Sequence, residues 1–235
     1  ALISYENALK HNPDYAEAFN NIGLIFFEQK QYEKAIISYQ KAINFDQNFA
    51  NAHNNLGVVF NKIGQYDDAI HSYKNALSIR TDYADVLNNL GVTYKKLGQF
   101  DNSIMSYEAA LDINYDDADA HNNLGIVFFE LERFDDSINS YNNAIKINPK
   151  MADAYNNLGH VLSNIKQYNE AIQVYEIGSN LKPDLDFILG NILTAKMNTS
   201  NWNNLSSLLN NITESLRTDN KKIIDPFCFM GLIDN

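Results

Sequence analysis

Apolar and small residues recur along this chain with two nested periods. The inner period is helical: in the stretch from Ala50, ring-bearing or apolar side chains fall at His53, Leu56 and Phe60, the spacing of one helix face rather than of an alternating strand. The outer period is 34 residues long, and five copies begin at Ala16, Ala50, Ala84, Ala118 and Ala152 and run to Leu185 with no residue inserted or deleted. Each opens on a variant of A-x-A-x-N-N-L-G: AEAFNNIG, ANAHNNLG, ADVLNNLG, ADAHNNLG and ADAYNNLG.

With each copy numbered from 1 to 34, its first half predicts a helix A that carries apolar or ring-bearing residues at 4, 7 and 11 and glycine at 8 (Gly23, Gly57, Gly91, Gly125, Gly159). Glycine inside a helix costs about 1 kcal/mol against alanine, so a close helix approach is expected there. The second half predicts a helix B with an aromatic at 17, Ala or Ser at 20, Tyr at 24 and Ala or Gly at 27. The small residues let helices approach, and Tyr39, Tyr73, Tyr107, Tyr141 and Tyr175 are expected to fill the space between repeats. These residue types at this period resemble the tetratricopeptide family. The resemblance implies an all-α, right-handed superhelical solenoid of antiparallel helix pairs, because one unit cannot bury its own apolar face and must stack on its neighbours. It also implies a protein-interaction scaffold with a concave groove for a partner.

The two ends depart from the repeat. Residues 1–15 read as the second helix of a truncated repeat, with Ala1, Tyr5, Ala8 and Pro13 at positions 20, 24, 27 and 32, and the start at Ala1 reads as a boundary inside a longer array. After the complete repeats at 16–185, residues 186–218 predict a degenerate sixth pair that caps the last apolar face. There Trp202 takes the aromatic slot, Leu205 a small slot, Leu209 the tyrosine slot and Ile212 the second small slot. Residues 219–235 read as a junction whose IIDPFCFMGLIDN is apolar, too short to span a membrane, and expected to fold back or to join a neighbouring molecule.

Charge narrows the partners. A formal net charge of −11 disfavours a nucleic-acid ligand, since phosphate backbones are held by lysines and arginines that release counterions. Much of the acidity sits at helix starts (Glu17, Asp85, Asp119 and Asp153 at position 2), where the helix dipole favours it. No apolar run is long enough for a membrane helix, so no membrane partner is expected. The single Cys228 cannot close an intramolecular disulfide, and an intracellular, cytoplasmic setting is expected. No catalytic residue, metal or cofactor is expected: there is no phosphate-cradling glycine loop, no H-E-x-x-H and no cysteine pair. His53 and His121 share one slot two repeats apart and are assigned to the core, while the sequons at Asn198, Asn204 and Asn211 are assigned to chance.

The candidate chemistry is the paired asparagine at positions 5 and 6. On a helical wheel position 6 shares a face with 2, 9 and 13, opposite 4, 7 and 11, which places Asn21, Asn55, Asn89, Asn123 and Asn157 at the groove. Asparagine disfavours a helix interior because its amide competes for backbone partners, so its repetition asks for a reason. Each carboxamide offers an acceptor and two donors, which can grip the peptide units of an extended polypeptide without reading its side chains. The alternative is that the amides bond to one another or to the next helix and hold repeat to repeat; that reading is the stronger for position 5 and groove binding the stronger for position 6. His160 joins the candidates because it brings an ionisable ring to position 9, where other copies carry Leu24, Val58, Val92 and Ile126.

The recurring asparagine is similar to the inner wall of O-linked N-acetylglucosamine transferases, whose asparagine ladder holds substrate polypeptide. The stretch around Lys182, Pro183, Asp184, Gly190, Ala195, Lys196, Met197 and Trp202, with Pro226, Phe227 and Asp234, resembles the junction to the catalytic domain in the SPINDLY-type branch. What the resemblance implies is a substrate-recognition arm whose glycosyltransferase domain is not in these residues, so the chain itself is expected to be no enzyme. A stand-alone adaptor for assembling a protein complex is the alternative, and a homo-oligomer is a further expectation. A clamp for a carboxylate tail finds little support, since only Lys62, Lys95 and Lys96 are basic on the groove side.

Overall fold

The computed structural model describes residues 2–183, 185, 187–199, 206, 208–210, 212 and 213, and the regular elements among them are all helical. After α1 (Leu2–His11), each copy gives one helix pair. These are α2 (Ala16–Glu28) with α3 (Tyr32–Phe45), α4 (Ala50–Lys62) with α5 (Tyr66–Ile79), and α6 (Ala84–Lys96) with α7 (Phe100–Ile113). They continue as α8 (Ala118–Glu130) with α9 (Phe134–Ile147) and α10 (Ala152–Asn164) with α11 (Tyr168–Leu181), followed by α12 (Ile188–Asn198). Two compact units divide them, residues 1–115 and 116–235. In the first unit α1 meets α2, α3 meets α4 and α5 meets α6; in the second α9 meets α10 and α11 meets α12.

Helix A ends the same way in every copy. Position 15 is left-handed, as glycine at Gly64 (φ 82°) and Gly98 (φ 70°), and as Lys30 (φ 59°), Glu132 (φ 57°) and Lys166 (φ 64°) elsewhere. The next N–H then reaches back to the position-11 carbonyl, Gln65 to Phe60 at 2.9 Å and Gln167 to Leu162 at 2.8 Å, which closes the helix and reverses the chain in three residues. Helix B stops where the position-31 N–H bonds the position-27 carbonyl, as Asp46 does to Ala42 at 2.9 Å.

Helix A buries positions 3, 7 and 8 in every copy and position 11 at Tyr94, Phe128 and Leu162, whereas position 4 is buried only at His121. In α4 the buried residues are Ala52, Leu56, Gly57 and Val59, positions 3, 7, 8 and 10, whereas His53 and Phe60 at positions 4 and 11 are half-buried. The small side chains at 3 and 10 let α5 come close, and the larger rings at 4 and 11 fill the flanks. Helix B buries positions 20, 23, 24 and 27, in α5 Ala69, Ser72, Tyr73 and Ala76.

The tyrosine at position 24 lies against the glycine of its own copy. A Cβ placed on Gly57 would stand 2.6 Å from Cε1 of Tyr73, and the corresponding distance is 2.6 or 2.7 Å in every complete copy. The tyrosines fill the space between repeats as expected, Tyr39 clustering with Leu56 and Val59 and Tyr73 with Val86 and Leu90 of the next copy, and they also close the seam inside their own pair, where only a bare glycine face admits a ring so close. Where position 20 is serine, its hydroxyl donates to that glycine's carbonyl: Ser103 to Gly91 and Ser137 to Gly125, both at 2.8 Å. Burial pushes the phenols of Tyr39, Tyr73, Tyr107 and Tyr141 up from the ordinary tyrosine value, and that of Tyr175 to about 12.

Beyond the complete copies, Ile188, Ile192 and Leu193 of α12 share a core cluster with Tyr175, Leu208 and Ile212. Leu209, expected in the tyrosine slot, is 36% exposed, and Leu208 is the buried residue instead. Lys196 occupies the slot that holds Phe26 or Phe60 in earlier copies; it is buried, with its ammonium 3.2 Å from the Glu176 carboxylate. Trp202, Leu205, Cys228 and the junction at 219–235 lie outside the described residues.

The ring-on-glycine contact predicts that Gly57→Ala destabilises the protein. Overpacking costs about 1–3 kcal/mol, against a helix-propensity gain of about 1 kcal/mol. In a Tyr73→Leu background the same substitution should turn neutral or stabilising, a difference read by urea unfolding of the double-mutant cycle. The raised phenols predict alkaline unfolding. A buried neutral tyrosine contributes stability that is whole below the unfolded value of about 10 and is lost as pH rises through the folded values, since the unfolded chain sheds its protons first. The rise in tyrosinate absorbance that belongs to these five residues should coincide with loss of helical circular dichroism; their ionisation with helix intact would contradict the packing.

Candidate functional site

The helix A registry sets out the asparagines at one-repeat intervals, and the structure joins them in pairs across neighbouring A helices. In the first unit Asn55 Nδ2 donates to Asn20 Oδ1 at 2.9 Å, and Asn89 Nδ2 donates to Asn54 Oδ1 at 3.2 Å. In the second unit Asn157 donates to Asn122 at 3.0 Å, and Asn191 donates to Asn156 at 3.2 Å. A position-6 amide thus bonds the position-5 amide of the preceding copy. Position 5 is the more enclosed of the two: Asn20 and Asn122 are buried, while Asn21, Asn55, Asn89, Asn123 and Asn157 are all half-buried.

This geometry gives the inter-repeat reading at both positions wherever the bonds form. The amides tie repeat to repeat, so position 6 has a folding role. That single bond nevertheless consumes one N–H of the position-6 amide and leaves its Oδ1 and second N–H to meet solvent or a ligand. Asn191, 34 residues after Asn157, extends the series into α12; the period marks it, although Leu189 and Gly190 replace the motif around it.

The rest of this face follows the wheel. At position 9 Leu24 and His160 are exposed, and Val58, Val92 and Ile126 are half-buried. The acidic groups at position 2, Glu17, Asp85, Asp119 and Asp153, are exposed in the first turns of their helices. The His160 ring centroid lies 5.0 Å from that of Phe129, tilted by 41°. The protein crowded around it disfavours the charged imidazole and lowers its pKa below the ordinary histidine value, partly offset by the Glu130 carboxylate. The balance favours the neutral form of the His160 ring.

One network on this face went unseen in the sequence. Asn61 Nδ2 donates to the Thr93 hydroxyl, Thr93 Oγ1 donates to the Asn89 carbonyl at 2.8 Å, and Lys96 Nζ donates to Asn61 Oδ1 at 2.6 Å. Position 12 holds a different residue in each copy except for two phenylalanines, so no periodicity pointed to it. Among the described residues no cluster of His, Cys, Asp or Glu could hold a metal ion. His53 is tied locally, its Nε2 3.2 Å from the Gln47 carbonyl, and His121 is 4% exposed in α8. No helix among the described residues is long and apolar enough to cross a membrane.

Comparison with known proteins agrees with this organisation. A family model described as TPR repeat matches residues 23–64, 59–98, 93–132 and 127–166, and models described as tetratricopeptide repeat match 4–37 and 152–184. No curated protein sequence matches the chain. Among solved structures the chain is similar to YrrB, described as a TPR protein with an unusual peptide-binding site, at 22% identity and a TM-score of 0.66, over 84% of this chain and 100% of that one. It is similar to MamA at 25% identity and a TM-score of 0.64, over 69% and 95%. Similarity to pilF of Pseudomonas aeruginosa reaches a TM-score of 0.75 at 18% identity, over 88% and 94%.

Proposed function

Because the chain belongs to the tetratricopeptide-repeat family, we propose that it is a non-catalytic scaffold whose A-helix face holds extended polypeptide by its backbone. The observation that carries this is the series of position-6 amides, of which Asn55, Asn89, Asn157 and Asn191 are each oriented by a bond to the preceding copy that leaves an acceptor and a donor. An amide fixed in this way loses little side-chain entropy when a ligand arrives, which is the advantage of preorganisation. The exposed or half-buried aliphatic groups at position 9 would flank the bound backbone and exclude water from those bonds. The description of YrrB as peptide-binding supports a peptide as the class of ligand.

In its finer form the reading makes the bound polypeptide the acceptor of an O-glycosyltransferase. Support comes from the ladder at Asn21, Asn55, Asn89, Asn123 and Asn157 and from the junction residues such as Lys182, Pro183 and Gly190. Extending the reading frame past Asn235 tests it: a two-lobed nucleotide-sugar domain is the expected result, and a stop codon there would leave the scaffold without that role.

For the scaffold itself, Asn55→Ala with Asn89→Ala should weaken binding of an unstructured peptide roughly tenfold, since two hydrogen bonds at about 0.5–1.5 kcal/mol each are lost. The same variant should also lose some stability through the broken inter-repeat bonds, so Gly125→Ala, whose Cβ would meet the Tyr141 ring at 2.7 Å and which is off this face, serves as the destabilised control and should keep its affinity. Fluorescence anisotropy at a temperature where all three are folded gives the comparison. Equal affinity for all three would make the amides purely structural.

A further inference from the structure

We propose that the face around Asn89 carries a reading pocket for an acidic side chain, glutamate in particular, of the bound polypeptide; this rests on the peptide-holding reading above. A cavity of about 130 Å³ opens there, lined by Val58, Asn61, Lys62, Tyr73, Asn89 and Val92. Val58 and Val92 occupy the same slot in successive copies and form two apolar walls. Tyr73, 1% exposed and held against Gly57, contributes a rigid part of the lining. Asn89 is the ladder amide that would hold the ligand backbone beside the opening. At the roughly 30 Å³ that each molecule occupies in liquid water, the cavity accommodates about four non-hydrogen atoms, the number beyond Cβ in glutamate.

The charge at this cavity selects an acid over an apolar side chain of similar size. The Asn61 amide is already engaged, donating to Thr93 and accepting from Lys96. Lys62, by contrast, is exposed and has no hydrogen bond or ion pair among the described residues. A helix C-terminus favours lysine through its dipole, and Lys62 stands in the last turn of α4 while Lys95 and Lys96 stand in the last turn of α6. The dipole alone does not account for them, because α2, α8 and α10 end without any basic residue in a chain of net charge −11. A glutamate would lay its methylenes between the valines and bring its carboxylate to Lys62. At the same slots of α8 and α10 the rings of Phe129 and His160 stand 5.0 Å apart instead, so the pocket belongs to α4 and α6.

The test is a set of unstructured peptides, identical except for one guest position holding Glu, Gln, Leu or Ala, titrated by fluorescence anisotropy at low and at high salt. The Glu peptide should bind about fivefold more tightly than the Gln peptide. The preference should fall towards one at high salt, where surface charge is screened. The Glu-to-Gln ratio should also collapse in Lys62→Met, which keeps the stem, and in Val92→Phe, which fills the cavity, with circular dichroism confirming that both fold. Should either variant fail to fold, the salt dependence of the unaltered protein decides. Equal binding of Glu and Gln peptides, with binding still sensitive to Asn55→Ala and Asn89→Ala, overturns the pocket and leaves the scaffold standing. A preference for Leu that survives Lys62→Met and high salt overturns it as well. Absence of binding by every guest peptide overturns both readings.

Discussion

A tyrosine ring laid on a bare glycine is the contact on which each repeat depends. Helix B can approach helix A only where position 8 lacks a Cβ, and a Cβ there would meet the ring at less than 3 Å in every complete copy. The other regularities are consequences of that short separation. Small residues at positions 3, 20 and 27 (Ala or Val at 3, Ala or Ser at 20, Ala or Gly at 27) keep the remaining seam narrow, and a left-handed residue at position 15 lets the chain reverse without a long loop. The glycine's helix penalty of about 1 kcal/mol is small beside the burial of an aromatic side chain, worth roughly 1.5–3 kcal/mol.

The seam inside a pair leaves the relation between successive pairs to be fixed, and there the asparagines matter. A carboxamide in the middle of a helix is a poor local choice, yet two of them in series make a bond from one A helix to the next, as Asn89 does to Asn54 at 3.2 Å. Half-buried, such a bond is partly shielded from water without being closed off. The same side chain can therefore align neighbouring repeats and present polar groups outward. Replacing it tests both roles at once, which is why affinity and stability have to be measured on the same variants.

Helix type and helix pairing were legible because each is a pattern repeated five times in the sequence. Partner assignments were not. Glycine at 8 and tyrosine at 24 each stand out, but nothing in the letters says that they touch within a copy rather than across copies. Helical periodicity marks positions 4, 7 and 11 as one face, yet it does not say how wide a strip the neighbouring helices cover: burial holds at 7 throughout and at 11 in α6, α8 and α10, extends to 3 and 8, and reaches position 4 only at His121. Leu209 was misplaced although the period holds, with Ile212 buried at position 27: position 23, a buried serine in α3, α5, α7 and α9, carries Leu208, and that larger side chain took the core. The link between Asn61, Thr93 and Lys96 had no repetition to reveal it.

The strict 34-residue register constrains how such a chain can change over generations. Adding or removing one residue within a helix rotates every later side chain by about 100° around the axis. That slip would at once move the tyrosine off its glycine, the left-handed residue out of the turn and the amide away from its partner. Substitution can tune any slot singly, as Lys, Glu and Gly at position 15 illustrate. Length is inherited in whole repeats: gain or loss of a complete copy preserves all three contacts, so duplication and excision of entire units are the open routes by which this architecture grows or shrinks.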